Sequence, residues 1–183
     1  MESQRFLILA GKVKLRPSVN SLYFLVRTHQ DPQTSLVGAA RVARDLRVLD
    51  SRAMDLEFLM VPGAPPPPPT APYSHAARAG DYLFVTGQMP SDPKTGDRLV
   101  PGGIVEQTHQ VMKNLRTVLA GAGTSLDRVV FARVYLVNFQ DYPVMNGVYV
   151  TYFTPGRLPA RTCIGVTGLA LGALVEIDLI VKP

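Results

Sequence analysis

Five consecutive prolines, Pro65 to Pro69, sit inside the tract 62-PGAPPPPPTAP-72 and constrain this chain more than any other feature. Each ring fixes φ and removes a backbone N–H. The tract therefore joins neither a helix nor a sheet interior and favours an extended polyproline II path. It reads as a spacer, or as a lead-in wrapped onto the domain behind it, in preference to a docking peptide. The 183 residues divide accordingly into a front segment, 1–60, a proline-rich lead-in, 61–72, and a domain, 73–183.

The front segment offers one helical pattern, 36-LVGAARVARDLRVLDSRAMD-55, with Leu36, Ala39, Val42, Leu46, Leu49 and Ala53 at helical spacing. An internal start at Met54 or Met60, or a dispensable extension, is the favoured reading of residues 1–60. An organellar transit peptide is the less favoured one, because Asp31, Asp45 and Asp50 interrupt the basic stretch. With one cysteine, Cys163, the chain makes no internal disulfide, and a reducing, cytoplasmic setting is expected. No apolar run approaches the roughly 18–20 residues of a membrane span. Residues 1–60 hold 9 Lys/Arg against 6 Asp/Glu, and residues 61–183 hold 10 against 8. The domain is thus only weakly basic, which argues against a nucleic-acid partner.

Behind the prolines the patterns become regular. The run 82-YLFVTGQ-88 alternates as a strand, and 91-SDPKTGDRL-99 is dense in turn formers. Next, 104-IVEQTHQVMKNLRTVLAGAG-123 puts Ile104, Thr108, Val111, Leu115, Val118 and Ala122 on one helical stripe that Gly121 and Gly123 stop. A strand in 128–138, a helix over 142–153 with Val144, Val148 and Tyr152 along one side, and two final strands in 160–168 and 173–182 complete the domain.

Period-two alternation gives this α+β sheet two unlike faces. Leu83 and Val85, the alternate residues Val130, Ala132, Val134 and Leu136, Ile164 and Val166, and Val175, Ile177 and Leu179 form a uniformly apolar set that two helices would cover. The other set mixes Tyr82, Phe84, Thr86, Gln88, Arg133 and Tyr135 with Arg161, Cys163, Glu176 and Asp178. It is too apolar for water and too charged for an ordinary core, so another subunit is expected against it.

Arg161 and Glu176 each interrupt an apolar run, where an unpaired charge costs several kcal/mol (~3–5). On spacing alone two readings stay level: an internal ion pair fixing strand register, or an arginine fork for a ligand carboxylate beside a proton-moving acid. Cys163 reads more readily as a packed thiol than as a nucleophile, and three scattered histidines give no zinc pattern.

The ordered blocks 72-PYSHA-76, 80-GDYLFVTGQMPSDPKTG-96, 106-EQTHQVMKNL-115, 145-MNGVY-149, 159-PARTC-163 and 172-GALVEIDLI-180 resemble the reactive intermediate deaminase family (RidA, also called YjgF). The resemblance runs from about Pro62 to Lys182. It implies a chorismate-mutase-like fold, a single mixed sheet with two helices on one face, assembled as a homotrimer with clefts between subunits. It also implies that Arg161 holds a substrate carboxylate and Glu176 activates water, with Tyr73, Gly87, Asn146 and Cys163 around the cleft. Two departures bear on the cleft: His75 stands where glutamine is usual, and 165-GVTGLALGA-173 lacks the commoner arginine and proline.

The implied reaction is hydrolysis of a small carboxylate-bearing enamine or imine to a 2-oxo acid and ammonia, with no metal or organic cofactor. Alternatives on the same scaffold are a non-catalytic carboxylate-binding or regulatory module, an aminomuconate-type deaminase and, least favoured, a ribonuclease.

Overall fold

In this computed structural model the described residues are 6–8, 11–13, 17–18, 21–22 and 56–183. The chain forms two compact units, Met1–Ala53 and Met54–Pro183. In the first, β1 (Phe6–Ile8) pairs antiparallel with β2 (Gly11–Val13), and β3 (Pro17–Ser18) with β4 (Ser21–Leu22). The helix expected over 36–55 and the question of an internal start lie outside the described residues.

The second unit is built on one mixed sheet. Its strands are β5 (Leu56–Leu59), β6 (Ala76–Ala79), β7 (Tyr82–Gln88), β8 (Val129–Leu136), β9 (Ala160–Gly165) and β10 (Val175–Val181). They lie in the order β5-β6-β7-β10-β8-β9. All neighbours are antiparallel except β8 and β9, which run parallel and are joined through α2 (Tyr142–Val150). A parallel pair needs such a crossover because no tight turn can reverse the chain twice. The other helix, α1 (Ile104–Gly121), packs on β7, β10 and α2.

Alternation in β10 explains its central place. Val175, Ile177, Leu179 and Val181 are buried under the helices, each worth about 1.5–3 kcal/mol relative to exposure. They share the core with Val111, Leu115 and Val118 from the expected stripe of α1, and with Met112 and Leu119, which that stripe left out. That helix ends in a glycine-dependent cap. Gly123 adopts φ +75°, its N–H donates to Ala120 O at 3.0 Å, and Thr124 N–H donates to Leu119 O at 2.9 Å.

The structure departs from the sequence reading at several points. Two strands, β5 and β6, extend the sheet, and β5 falls within the segment read as an extension. Of the two readings of the proline tract, the wrapped lead-in is the one seen: Val61 and Ala64 enter the core on either side of a turn. Buried His75 clips this lead-in down. Val61 N–H donates to its Nδ1 at 2.8 Å, so Nε2 carries the proton and donates to Pro65 O at 2.9 Å. His75 is thus a buried polar anchor. Gly121 is needed beneath it, since a Cβ there would collide with Val61.

Bulges and register correct three face assignments. Val130 is the extra residue where the β8–β10 register shifts, and it is exposed while Val129 packs against the core. A second shift, between β7 and β10, pairs Gln88 with the core-facing Ile177 and buries it. In β9, Arg161 and Cys163 stand beside the core-facing Ala132 and Val134, whereas Ile164 is exposed on the other face. On α2 the buried residues are Met145, Val148 and Tyr149, with Val144 exposed, because α1 approaches the helix from that side.

The face away from the helices remains strongly apolar. Phe58 is 68% and Phe84 47% exposed there, with Leu56, Tyr82 and Ile164 also exposed.

Candidate active site

The six residues singled out from sequence sort into two trios on opposite faces of the sheet. Arg161 and Glu176, expected on one face, do not meet within a single chain. Arg161 pairs with Ala132 in the ladder and faces the helices, whereas Glu176 pairs with Tyr135 and faces away.

The first trio lies at the edge strand β9. Arg161 Nη2 donates to Tyr142 Oη at 3.2 Å, and its guanidinium lies 4.7 Å from the Tyr149 ring centroid. Stacking on a ring holds an arginine by about 0.5–2 kcal/mol while leaving most of its N–H groups free. Among the described residues Arg161 has no carboxylate partner, so the ion-pair reading with Glu176 does not apply within the chain. Asn146 shares a helical stripe with Tyr142 and Tyr149, and its buried Oδ1 has no hydrogen-bond partner. Cys163, two residues beyond Arg161, completes the group. Burial pushes its thiol up, with Arg161 opposing, so it stays protonated as a packed group. Burial likewise raises the Tyr149 phenol to about 12, against the pull of Arg161.

The second trio surrounds Glu176. The β7 bulge turns Gly87 towards this carboxylate, and a Cβ at 87 would collide with Glu176 Oε1. Tyr73 stands nearby: burial and the Glu176 charge both raise its hydroxyl. The strap carrying it is tied to β7, with Thr86 Oγ1 donating to Ser74 O at 2.7 Å and Thr86 N–H donating to His75 O at 3.1 Å. Half-burial, reinforced by the neighbouring Asp178, raises the Glu176 carboxyl above its ordinary value. A groove of about 420 Å³ runs alongside, lined by Ser74, Thr86, Gly87, Arg133 and Asp178.

Sequence reasoning missed Tyr142 and Tyr149 as the seat of Arg161. Their spacing of seven on one helix was the available signal. Asp178 and Arg133, both expected on the mixed face, form a salt bridge, with Arg133 Nε donating at 2.8 and 3.0 Å; Asp178 is only 8% exposed and also accepts from Tyr135 Oη at 2.9 Å. Among the described residues no cluster of three or more His, Cys, Asp or Glu could hold a metal. No described helix is long and apolar enough to cross a membrane.

Residues 64–182 match a family described as Endoribonuclease L-PSP. The chain is 45% identical over 114 residues to a RutC family protein of Pyrococcus horikoshii, covering 62% of this chain and 89% of that protein. It is 40% identical over 114 residues to 2-iminobutanoate/2-iminopropanoate deaminase of Mus musculus, covering 62% of this chain and 83% of that protein. A crystal structure of a conserved Rid family protein from Yersinia pestis superposes with TM-score 0.66 at 36% identity, over 70% of this chain and 100% of that one. The mixed sheet with two helices on one face is therefore the fold shared by RidA/YjgF proteins.

Proposed function

The chain belongs to the RidA/YjgF/RutC family, and we propose that within it the protein is a deaminase of small carboxylate-bearing imines, with clefts built between copies of a homotrimer. The observation that carries this reading is the division of the site. One face holds an arginine seated on two tyrosines without a carboxylate partner; the other holds a glutamate of raised proton affinity beside a groove and a glycine kept bare. Neither half alone binds and hydrolyses an imino acid. The exposed apolar face around Phe58, Tyr82 and Phe84 supports a second copy packing there, which would set one copy's Arg161 against another's Glu176. Imine deamination is the activity named for the mouse relative.

In the assembled cleft, Arg161 takes the substrate carboxylate through two parallel N–H···O bonds. Glu176 orients a water against the imine carbon and accepts its proton as the C–O bond forms, giving a carbinolamine. Its oxygen then loses a proton, the nitrogen receives one by way of Glu176, and the C–N bond breaks. A 2-oxo acid and ammonia leave. A carboxyl with raised proton affinity suits both directions of transfer, and general acid–base help of about 10²–10⁴-fold suffices for a substrate that hydrolyses unaided. Asn146 and Tyr73 border the cleft from its two sides and would orient the substrate.

The test couples the protein to a serine or threonine dehydratase and follows 2-oxo acid release. Acceleration that disappears in Arg161→Ala supports the reading; no acceleration by the wild type overturns it in favour of a non-catalytic carboxylate-binding module.

A further inference from the structure

Glu176 is not the only acid on its face of β10. Asp178 lies two residues on, about 6–7 Å away at the strand rise, and is more buried than Glu176. Hydrogen bonds offset the desolvation of a carboxylate in that position: Arg133 Nε donates to both of its oxygens, at 2.8 and 3.0 Å, and Tyr135 Oη donates to Oδ2 at 2.9 Å. The ladder explains the arrangement. Arg133 is directly opposite Asp178, whereas Tyr135 is opposite Glu176 and reaches diagonally past it. Burial and this bond raise the Tyr135 phenol, which keeps it a donor.

We propose that Asp178, clamped by Arg133 and Tyr135, is a positioning residue for Glu176: an anion fixed on the same face that sets when the neighbouring carboxyl gives up its proton. The proposal rests on the deaminase reading for its consequence, though not for its existence. Among the described residues of one copy, the groups facing Glu176 are Tyr73 ahead of β6, the Gly87 backbone of β7, Tyr135 and Arg133 of β8, and Asp178 itself. Arg133 and Asp178 are the charged members of that set, and in the assembly proposed above another copy's Arg161 joins them equally in wild type and variants. A carboxylate held in place by Arg133 and Tyr135 on the face that Glu176 shares disfavours a second negative charge there. The raising of the Glu176 carboxyl, by half-burial first and by Asp178 second, agrees with this arrangement.

The experiment is a carbon-13 carboxyl NMR titration of the full chain labelled in glutamate, without substrate, with Glu176→Gln identifying the resonance. Asp178→Asn removes the negative charge but keeps an acceptor for Arg133 and Tyr135, and should move the Glu176 midpoint to lower pH. Arg133→Met removes the compensating cation and should move the Glu176 midpoint to higher pH. Opposite displacements support the proposal; unmoved midpoints, or displacements of the same sign, overturn it. Should Asp178→Asn fail to fold, Arg133→Met, at a side chain 53% exposed, decides alone by the same sign rule. In the dehydratase-coupled assay, Asp178→Asn should lower kcat roughly 10-fold or more at neutral pH, with KM within about twofold. A rise in KM at constant kcat would also overturn the proposal. An inactive wild type with opposite displacements would sink the deaminase reading alone, and an active wild type with unmoved midpoints the tuning alone.

Discussion

Arg161 and Glu176 project from opposite faces of one sheet, because β8 pairs its core-facing Ala132 with Arg161 and its outward Tyr135 with Glu176. The fork proposed for a carboxylate and the acid proposed for water therefore sit back to back. The protein's chemistry becomes a question of how copies pack.

The seat of Arg161 distinguishes it from any other cation. A lysine at 161 keeps the charge but loses the fork and the stacking on Tyr149. Arg161→Lys should lower kcat/KM by about 10²-fold or more, close to the effect of Arg161→Ala. Steady-state kinetics with a dehydratase-generated imine reads this directly; near-wild-type activity in the lysine variant would contradict it.

Glu176 carries a cost in stability whose sign can be worked out. Its folded carboxyl holds a proton more tightly than the unfolded one, so its contribution is fully present below the ordinary carboxylate value and is lost as pH rises through the raised folded value. Glu176→Gln should therefore be inactive yet more stable than wild type at neutral pH, by about 1 kcal/mol or less since the group remains partly solvated. Thermal melts at neutral pH and near pH 4 check this, with the gain shrinking in acid.

Gly87 is kept bare by the carboxylate it faces. Gly87→Ala forces Glu176 aside, so activity should fall while stability drops by about 1–3 kcal/mol, the usual cost of overpacking. The double variant Gly87→Ala/Glu176→Ala should regain the stability and not the activity. Denaturant unfolding of the single and double variants measures the coupling.

His75 acts on the lead-in. Removing its ring orphans Val61 N–H and Pro65 O, costing about 1–3 kcal/mol. His75→Ala should expose residues 62–72 to protease faster than the wild type, as mass spectrometry of limited digests would show. His75→Gln should fall between the two, since an amide at that place satisfies the partners incompletely.

Much of this fold was legible in the sequence, and the failures have local causes. The stripe of α1 from Ile104 to Ala122 and the apolar alternation of β10 are periodic and turn towards the core as the periods require, with outward Asp178 buried as well by its partners. Short β5 and β6 carry too few residues for a period to register, and the alanines of β6 have no strong strand preference. Alternation placed Arg161 on its own strand but could not set that strand's register against β8, and a one-residue choice there flips every side chain. Bulges at Val130 and before Gln88 are likewise invisible to a period-two count. The candidate site residues were named as a set through the ordered motifs. Their division into two halves was not, because it depends on that register and on Tyr142 and Tyr149, whose role appears only when α2 is docked.

The shared cleft is tested most directly by mixing two dead proteins. Arg161→Ala and Glu176→Gln are each purified, shown inactive, partly unfolded together to exchange subunits, and refolded. If each cleft takes its arginine from one copy and its glutamate from another, some clefts in the mixed oligomers hold both intact groups. A substantial fraction of wild-type 2-oxo acid release then returns. If both groups serve from the same copy, no mixed oligomer contains an intact cleft. Activity would stay at the level of the separate variants, contradicting the account.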